Sequence, residues 1–393
     1  MTAPTLDAEP ACPGPVLGLP TLDDTSIPTL HAERRAFDAI PRETWDGLAA
    51  RNPWSTPFSA WAFHRAWWDA YGDNAHDETL VVCSDGAAAE PVAIVPLMHR
   101  HEVEPTDAAT RTTIRHTDGR GLTAVPASAK AILFGASYHS DYATILADPA
   151  ILPGVAQAVA DYVAAPVGEA WDVVDLRRLR CQDPSGRQLA RALGERGLGD
   201  LTVEREDVCP VATFPEGVDI ETYLSTLGKK ERHEIRRKVR RAEAVGELRL
   251  TDSTDPQADL QLFIELHQKR WGEKGLFPAT GGGEQSRVLV RRLFELFGSD
   301  GPFKLTILTV GDRPIGAGLH FETETDLLYY NAGIDPDARD LSPGVLMIHA
   351  YVARALERGI RRMDFLRGDE SYKYEWGAVD EPIQRVLLRR GES

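Results

Sequence analysis

FKLTILTVGDRPIGAGLHFETETDLLYYNAGIDPDARDLSPGVLMIHAYVARALERGIRRMDFLRG, residues 303–368, carries the pattern on which the fold turns. Three runs rich in β-branched and aromatic residues (303–310, 313–322 and 326–334) are separated by a Gly-Asp turn and by Glu-Thr-Glu-Thr-Asp, which predicts a meander. Residues 343–359 then repeat apolar side chains at helical spacing, with Pro343 at the first position and Gly359 at the end. MDFLRG (363–368) reads as another short strand. Strand, helix, strand in direct succession implies a crossover. Segments 326–334 and 361–366 are therefore predicted to be parallel neighbours at the centre of a mixed sheet.

Working outward, ELRLT (247–251) precedes this block as a strand, followed by two amphipathic helices, DLQLFIELHQKRW (259–271) and SRVLVRRLFELFG (286–298). IQRVLLR (383–389) follows it as the last strand. The first half has a similar order. SAWAFHRAWWDAYG (59–72) is helical, TLVVC (79–83) and EPVAIVPLM (90–98) are strands, and the polar residues 102–120 suit a long hairpin tip. DYATILA (141–147) reads as a strand, ILPGVAQAVADYVAA (151–165) as a helix, WDVVDL (171–176) as a buried strand and GRQLARALGERG (186–197) as a helix. The two halves share an order of elements and no repeated sequence period. At 393 residues the chain exceeds one ordinary core. The prediction is α/β: a flexible tail over 1–33, one domain over 34–205 and another over 206–393. Each is expected to hold a mixed, mostly antiparallel sheet with a parallel central pair and helices on both faces.

Net charge is −16, which argues against general nucleic-acid coating, and no DNA partner is expected. Cys12, Cys83, Cys181 and Cys209 show no CxxC or Cys/His ligand spacing, and the eleven histidines form no HExxH pair. Reduced, structural cysteines and no metal are the expectation. The first basic residue is Arg34, and no apolar run approaches the roughly 18 residues of a membrane span. No membrane insertion and a cytoplasmic location are expected.

One segment runs against the bulk charge. KKERHEIRRKVRR (229–241) holds eight Lys/Arg and two Glu, a net of +6 that leaves −22 for the remainder. Ile235, Val239 and Ala242 form a narrow apolar seam, while Lys229, Arg232, Arg236 and Arg240 form a separate positive stripe. A helix docked by one edge explains both. The stripe suits either a solvated face or a guide for a phosphorylated donor or acceptor.

In open α/β sheets, ligands bind beyond the carboxyl ends of the strands, at helix N-termini. Here that place is DPDARDLSPGVLM (335–347), with amides around Gly344 and Val345 expected to be free. A plain Ser-Pro helix start fits the same residues. Beside it, FLRGDESYKYEWGA (365–378) crowds Arg367, Asp369, Glu370, Tyr372 and Lys373 at one strand end. Either this is a solvated loop, or Lys373 or Arg367 neutralises an oxyanion or phosphate while Asp369 or Glu370 takes a proton from an attacking amine. His267 and Arg270, in ELHQKRWGEKG, suit a helix face or a pocket wall, as do Asp141 and Tyr142 in the first half. The glycines of RPIGAGLH read as strand glycines that permit a bend.

The order of elements in 247–389 resembles the GNAT acyltransferase fold, and the duplication resembles the tandem Fem peptidyltransferases. It also resembles the GNAT-like proteins related to the cellulose-biosynthesis protein CelD. YLSTLGKKERHEIRRKVRRAE, ELHQKRWGEKG, DLSPGVLMIHAYVARALERGI and MDFLRGDESYKYEWGA carry that resemblance, with weaker support from SAWAFHRAWW, AIVPL and SDYATIL. It implies acyl transfer from a thioester of coenzyme A or an acyl carrier protein to an amine or hydroxyl of a small molecule, peptide or saccharide. No tightly bound cofactor is implied. The thioester carbonyl would sit between the central strands, near Tyr330, Asn331 and Arg367, and the pyrophosphate at Arg339, Ser342, Gly344 and Val345. Catalytic roles would fall to Asp369, Glu370, Tyr372 and Lys373, with substrate contacts from Lys229, Arg232, Arg236 and Arg270. ARDLSPGV departs from the Gln/Arg-x-x-Gly-x-Gly/Ala phosphate loop of the GNAT enzymes. Fem enzymes share that departure and use aminoacyl-tRNA, the second expectation. A non-catalytic role in polysaccharide assembly is the third.

Overall fold

Residues 29–84, 90–100, 122–126, 128–165, 171–279 and 281–391 are described by a computed structural model. The chain divides into two compact units, Met1–Asp207 with Glu381–Ser393, and Val208–Asp380.

The first unit contains β1 (Leu30–Arg34), α1 (Arg42–Ala49), α2 (Trp61–Tyr71), β2 (His76–Asp77), β3 (Leu80–Ser84), β4 (Pro91–Val95), β5 (Leu97–Arg100), β6 (Ala131–Phe134), β7 (Leu146–Ala147), α3 (Leu152–Ala164), β8 (Val173–Arg180) and α4 (Pro184–Glu195). One sheet runs β1-β3-β4-β7; the other includes β2-β5-β6-β8. β4 and β5 are one run of chain divided at Pro96, which has no N–H to continue a ladder, and there the chain changes sheets. The interior is aliphatic, with Leu80, Val95, Leu152, Val159, Leu189 and Val386 fully buried. A second cluster packs Phe37 and Trp45 under α1.

The second unit begins within β9 (Gly199–Thr213) and continues through α5 (Ile220–Thr226), α6 (Lys229–Glu243), β10 (Leu248–Asp252), α7 (Pro256–Trp271), α8 (Gly281–Phe297), β11 (Phe303–Val310), β12 (Arg313–Glu322), β13 (Asp326–Ile334), α9 (Pro343–Glu357), β14 (Arg362–Asp364) and α10 (Ser371–Tyr374). Its strands run β10-β11-β12-β13-β14-β9, antiparallel except for the parallel pair β13–β14. The meander and the crossover through α9 are as the sequence predicts. α5, α6 and α9 cover one face of the sheet, in a core that includes Leu224, Ile235, Leu346, Tyr351 and Trp376. Against the other face, α7 meets β13 at Gly333 and α8 meets β11 through Phe294 and Phe303, 4.8 Å apart. Gly316 and Gly318 are explained by close approach. A Cβ at 316 would come within 2.7 Å of Met347 Cε, and one at 318 would overlap the Tyr351 hydroxyl, so α9 lies flush on β12.

The last strand, β15 (Val379–Arg390), pairs antiparallel with β8 in the first unit. Placing 381–393 in the second domain is therefore corrected. The two units exchange closing strands: the helix after β8 leads into β9, which borders β14, and the helix after β14 leads into β15, which borders β8. Arg385 locks this in. It is 0% exposed and donates from Nε (2.6 Å) and Nη2 (2.8 Å) to the two oxygens of Asp175, with Nη1 on Glu204 (3.1 Å) and on the Thr123 carbonyl (2.7 Å).

The duplication extends to sequence, contrary to expectation. Asp148-Pro149 and Asp335-Pro336 each open a 3-10 turn whose Asp accepts from the amide two residues on. Pro153-Gly154-Val155 and Pro343-Gly344-Val345 then open the two crossover helices, and Val174-Asp175-Leu176 matches Met363-Asp364-Phe365 in the strands that follow. Other expectations shift as well. Residues 30–33, read as tail, pair with β3 together with Arg34. DYATILA supplies only Leu146–Ala147 and a bridge at Ala143. MDFLRG is strand only through Asp364, and 102–120 falls outside the described residues. Cys83 and Cys209 are free and buried, whereas Cys181 is disulfide-bonded, so reduced cysteines throughout is corrected. Among the described residues no helix is long and apolar enough to cross a membrane, and no group of His, Cys, Asp and Glu is placed to hold a metal.

Candidate functional site

The parallel pair at the centre of the second unit parts. Its register runs Asp326↔Arg362, Leu327↔Met363, Leu328↔Asp364 and stops there, while β13 continues to Ile334. The chain after Asp364 stays with β9 instead, through Phe365 N to Pro210 O (3.0 Å) and Gly368 N to Val208 O (2.9 Å). From Tyr329 onward, the β13 groups that face this gap have no β14 partner. Backbone donors and acceptors left unpaired at such a place call for a ligand or water.

In the first unit the matching pair, β6 and β8, also ends at an aspartate, Leu133↔Asp175. There the chain closes its own gap. Ala143 bridges Leu179, the Ala143 amide donates to Arg178 O (3.0 Å), and Arg178 Nη1 donates to Ser140 O (2.7 Å). The open gap is the one in the second unit.

One bank of it is the segment 364–374. Asp364, buried, accepts from the Leu366 amide (2.8 Å), and Leu366 is held at φ 57°, a left-handed conformation costing a non-glycine residue about 1–2 kcal/mol. The restraint comes from Lys373. It is 2% exposed, and its Nζ donates to the carbonyls of Leu366 (3.0 Å), Arg367 (3.0 Å) and Gly368 (2.9 Å), with Glu370 2.9 Å away. An ammonium has three N–H bonds, and all three are taken. Lys373 is thus a clamp on the loop, a departure from the free oxyanion donor that the sequence suggested. Arg367 and Asp369 are half-buried, and Glu370 is exposed. Asp369 makes no hydrogen bond or ion pair among the described residues. The Tyr372 ring stands edge-on to Phe365 at 6.2 Å.

The other bank is β13 with the end of α7. A bulge at Tyr330 separates the pairs Leu319↔Asn331 and His320↔Tyr329. Tyr330 therefore packs on Phe321 (5.4 Å) and Phe303 (6.3 Å), whereas Tyr329 faces Tyr351 (5.3 Å) and Phe365 (6.4 Å). Of the two, Tyr329 looks toward the segment across the gap, and sequence reading named its neighbour. Asn331 is half-buried beyond the bulge. Burial pushes the Tyr329 phenol well up, as does the Tyr372 phenol nearby, while the Arg270 charge pulls it down. The Tyr372 phenol is raised by withdrawal from water and by Glu370, and again opposed by Arg270.

At the start of α9, Ser342 is left-handed (φ 60°, ψ 56°), and its hydroxyl caps no amide. Its Oγ instead accepts from Nη2 of Arg241, on α6, at 2.9 Å. The Val345 amide, expected free, bonds to Ser342 O (3.0 Å). The Gly344 amide has no intrahelical acceptor at this position. Arg339 is exposed in the preceding 3-10 turn. A guanidinium at the positive end of a helix is electrostatically unfavourable by itself, and an anion there would be held by both. Arg241 had been counted within the basic run without a separate role; its position shows only once α6 docks.

The seam of α6 docks as expected, with Ile235 and Ala242 buried and Val239 packed beside them. Its stripe is divided. Arg236 pairs with Glu221 (2.7 Å) and Arg232 Nη1 donates to Ser225 O (2.9 Å), while Lys229 and Arg240 are exposed without partners among the described residues.

Residues 229–374 match a family described as "Acetyltransferase (GNAT) domain". Among solved structures, the chain is similar to FemX (TM-score 0.56, 11% identity, covering 88% of this chain and 96% of that one). A conserved protein of unknown function from Bacteroides thetaiotaomicron gives a TM-score of 0.51 at 14% identity, covering 89% and 98%. A tandem GNAT protein from the clavulanic acid biosynthesis pathway gives 0.44 at 11%, covering 93% and 99%. No match was found among curated proteins. The second unit carries a GNAT-type domain, and the chain as a whole has the tandem GNAT-like architecture shared by Fem-type proteins.

Proposed function

We propose that this protein is an N-acyltransferase, moving an acyl group from a thioester of coenzyme A or a carrier protein to an amine or hydroxyl in the cytoplasm. The parting of β13 from β14 after Leu328 and Asp364 carries this reading. An extended, amide-bearing donor arm finds the edge of β13 that β14 no longer covers, and its phosphates find the Gly344 amide, Arg241 and Arg339 at the start of α9. The thioester carbonyl then lies between Tyr329 and the Lys373-clamped loop. The nucleophile attacks that carbon, the C–N or C–O bond forms, the C–S bond breaks, and the proton passes to Asp369 or to the departing thiolate. Positioning in a partly desolvated gap supplies most of the rate. Lys373 positions the loop.

A second reading, transfer from aminoacyl-tRNA, is favoured by the cations Lys229 and Arg240 on α6, unpartnered among the described residues, and opposed by the −22 of the remainder. A thermal-shift screen separates the two. Coenzyme A, acyl-coenzyme A or an acylated carrier protein is expected to raise the melting point by mass action, an effect weakened in Arg241→Met. A shift with aminoacyl-tRNA alone, lost steeply with salt, overturns the thioester assignment. No shift with any donor favours a non-catalytic role in polysaccharide assembly.

A further inference from the structure

Five large apolar side chains are exposed among the described residues, and two of them, Trp271 (47%) and Tyr372 (37%), are aromatic. Both belong to the same gap. Trp271 ends α7, which is pinned to the free part of β13: a Cβ at Gly333 would meet His267 N at 2.6 Å and Leu266 Cβ at 2.9 Å. No side chain fits between helix and strand there, so the last turn of α7 is fixed above the unpaired stretch. On that turn the Arg270 guanidinium lies 4.8 Å from the centre of the Trp271 ring. Arg270 has no ion pair or hydrogen bond among the described residues, while Arg313, Arg354, Arg358 and Arg362 of the same unit each hold a carboxylate. The facing bank carries Asp369, without a partner among the described residues, and Glu370, engaged by Lys373. The mouth of the gap is therefore polarised, with a stacked cation on one side and a carboxylate on the other.

We propose that the acceptor is an amine that also bears a carboxylate, its carboxylate held by Arg270 over Trp271 and its amine turned to Asp369. A guanidinium over an indole face has N–H groups left for a bidentate carboxylate, which an ammonium could not match. The two exposed aromatics flank the carbon skeleton between the charged ends. This rests on the acyl-transfer reading for its chemistry, though binding can be measured without turnover.

The experiment uses matched pairs: L-alanine with ethylamine, L-phenylalanine with phenethylamine, and the corresponding aminophosphonates. Binding to the full chain is followed by tryptophan fluorescence, with Trp271→Phe identifying the reporter, and acyl transfer is followed with acetyl-coenzyme A. The carboxylated member of each pair is expected to bind and react with at least tenfold preference. Arg270→Gln is expected to raise KM for it at least tenfold with kcat little changed, and so to erase most of its preference over the decarboxylated amine. Arg270 is exposed, so this variant should fold. Equal use of both members, a preference that survives in Arg270→Gln, or stronger selection of the phosphonates overturns the proposal. Absence of transfer from any donor counts against the functional reading alone, because the fluorescence titration still decides whether carboxylated amines are selected.

Discussion

Lys373→Met separates a clamp from a catalyst. Methionine fills much the same volume without the ammonium, so the substitution deletes three charge-assisted hydrogen bonds of 2.9–3.0 Å and leaves three carbonyls to find other partners. Such bonds contribute about 1.5–3 kcal/mol each. Two corrections lower the sum. Burying the ammonium costs several kcal/mol in the wild type, and that cost disappears. The loop is only half-buried at Arg367 and Gly368, so water can reach some of the freed oxygens. The net expectation is a loss of about 3 kcal/mol, which for a unit of this length corresponds to roughly 6–12 °C in melting temperature. Scanning calorimetry of wild type, Lys373→Met and Lys373→Arg provides the measurement. Arginine, a planar fork, cannot aim three N–H groups at this tripod, so it is expected to fall between the other two. A Lys373→Met protein that melts within about 2 °C of wild type while losing 10²–10³-fold in turnover would show the reasoning to be wrong and return Lys373 to the oxyanion.

Two further expectations concern the first unit. Arg385→Met leaves the buried Asp175 with only Arg177 at 3.1 Å, and should cost about 3 kcal/mol in urea unfolding, with loss of the transition of the first unit before the second. His64 and His139 are buried neutral, their pKa values lowered to about 3, chiefly by burial; His139 also feels the charge of Arg178. Because the folded values lie below the ordinary 6.5, the unfolded chain takes the protons first. Stability is complete above pH 6.5 and falls toward pH 3, by about 1.4 kcal/mol per pH unit per histidine. Asp183, whose carboxyl is pushed up by burial, works in the opposite sense and moderates the slope. Unfolding of the first unit at pH 6.5 and 5 should differ by no more than about 4 kcal/mol, and a stability of that unit that stays flat or rises on acidification contradicts the assignment.

Most of the second unit was legible because its signals are local. Alternation in 303–334, the Pro343 start and the Gly359 stop each specify an element without reference to distant residues. β9 was missed because its sequence, GDLTVEREDVCPVAT, mixes acidic residues with a proline, and only its partner strand identifies it. The site was partly legible. Tyr330 was named by resemblance, but the bulge at that residue turns its ring to Phe321 and Phe303 and leaves Tyr329 facing the gap. Lys373 was found as an unusual residue, and its role was not, since three backbone carbonyls converging on one nitrogen leave no trace in a sequence. Arg241 and Trp271 depend on helix docking. The repeated Asp-Pro and Pro-Gly-Val could have been seen earlier. Its occurrence in both units, one gap filled and one open, ties it to the crossover architecture as much as to phosphate.

The exchange of closing strands has a consequence for synthesis. As the polypeptide leaves the ribosome, residues 29–195 emerge with every helix of the first unit and a sheet one strand short. Val173–Arg180 then waits, with an exposed edge, for a segment made some two hundred residues later. A gene cut between residues 205 and 206 would leave the first product without its final strand and the second with a strand to spare, so the first fragment should recover only when the second is added.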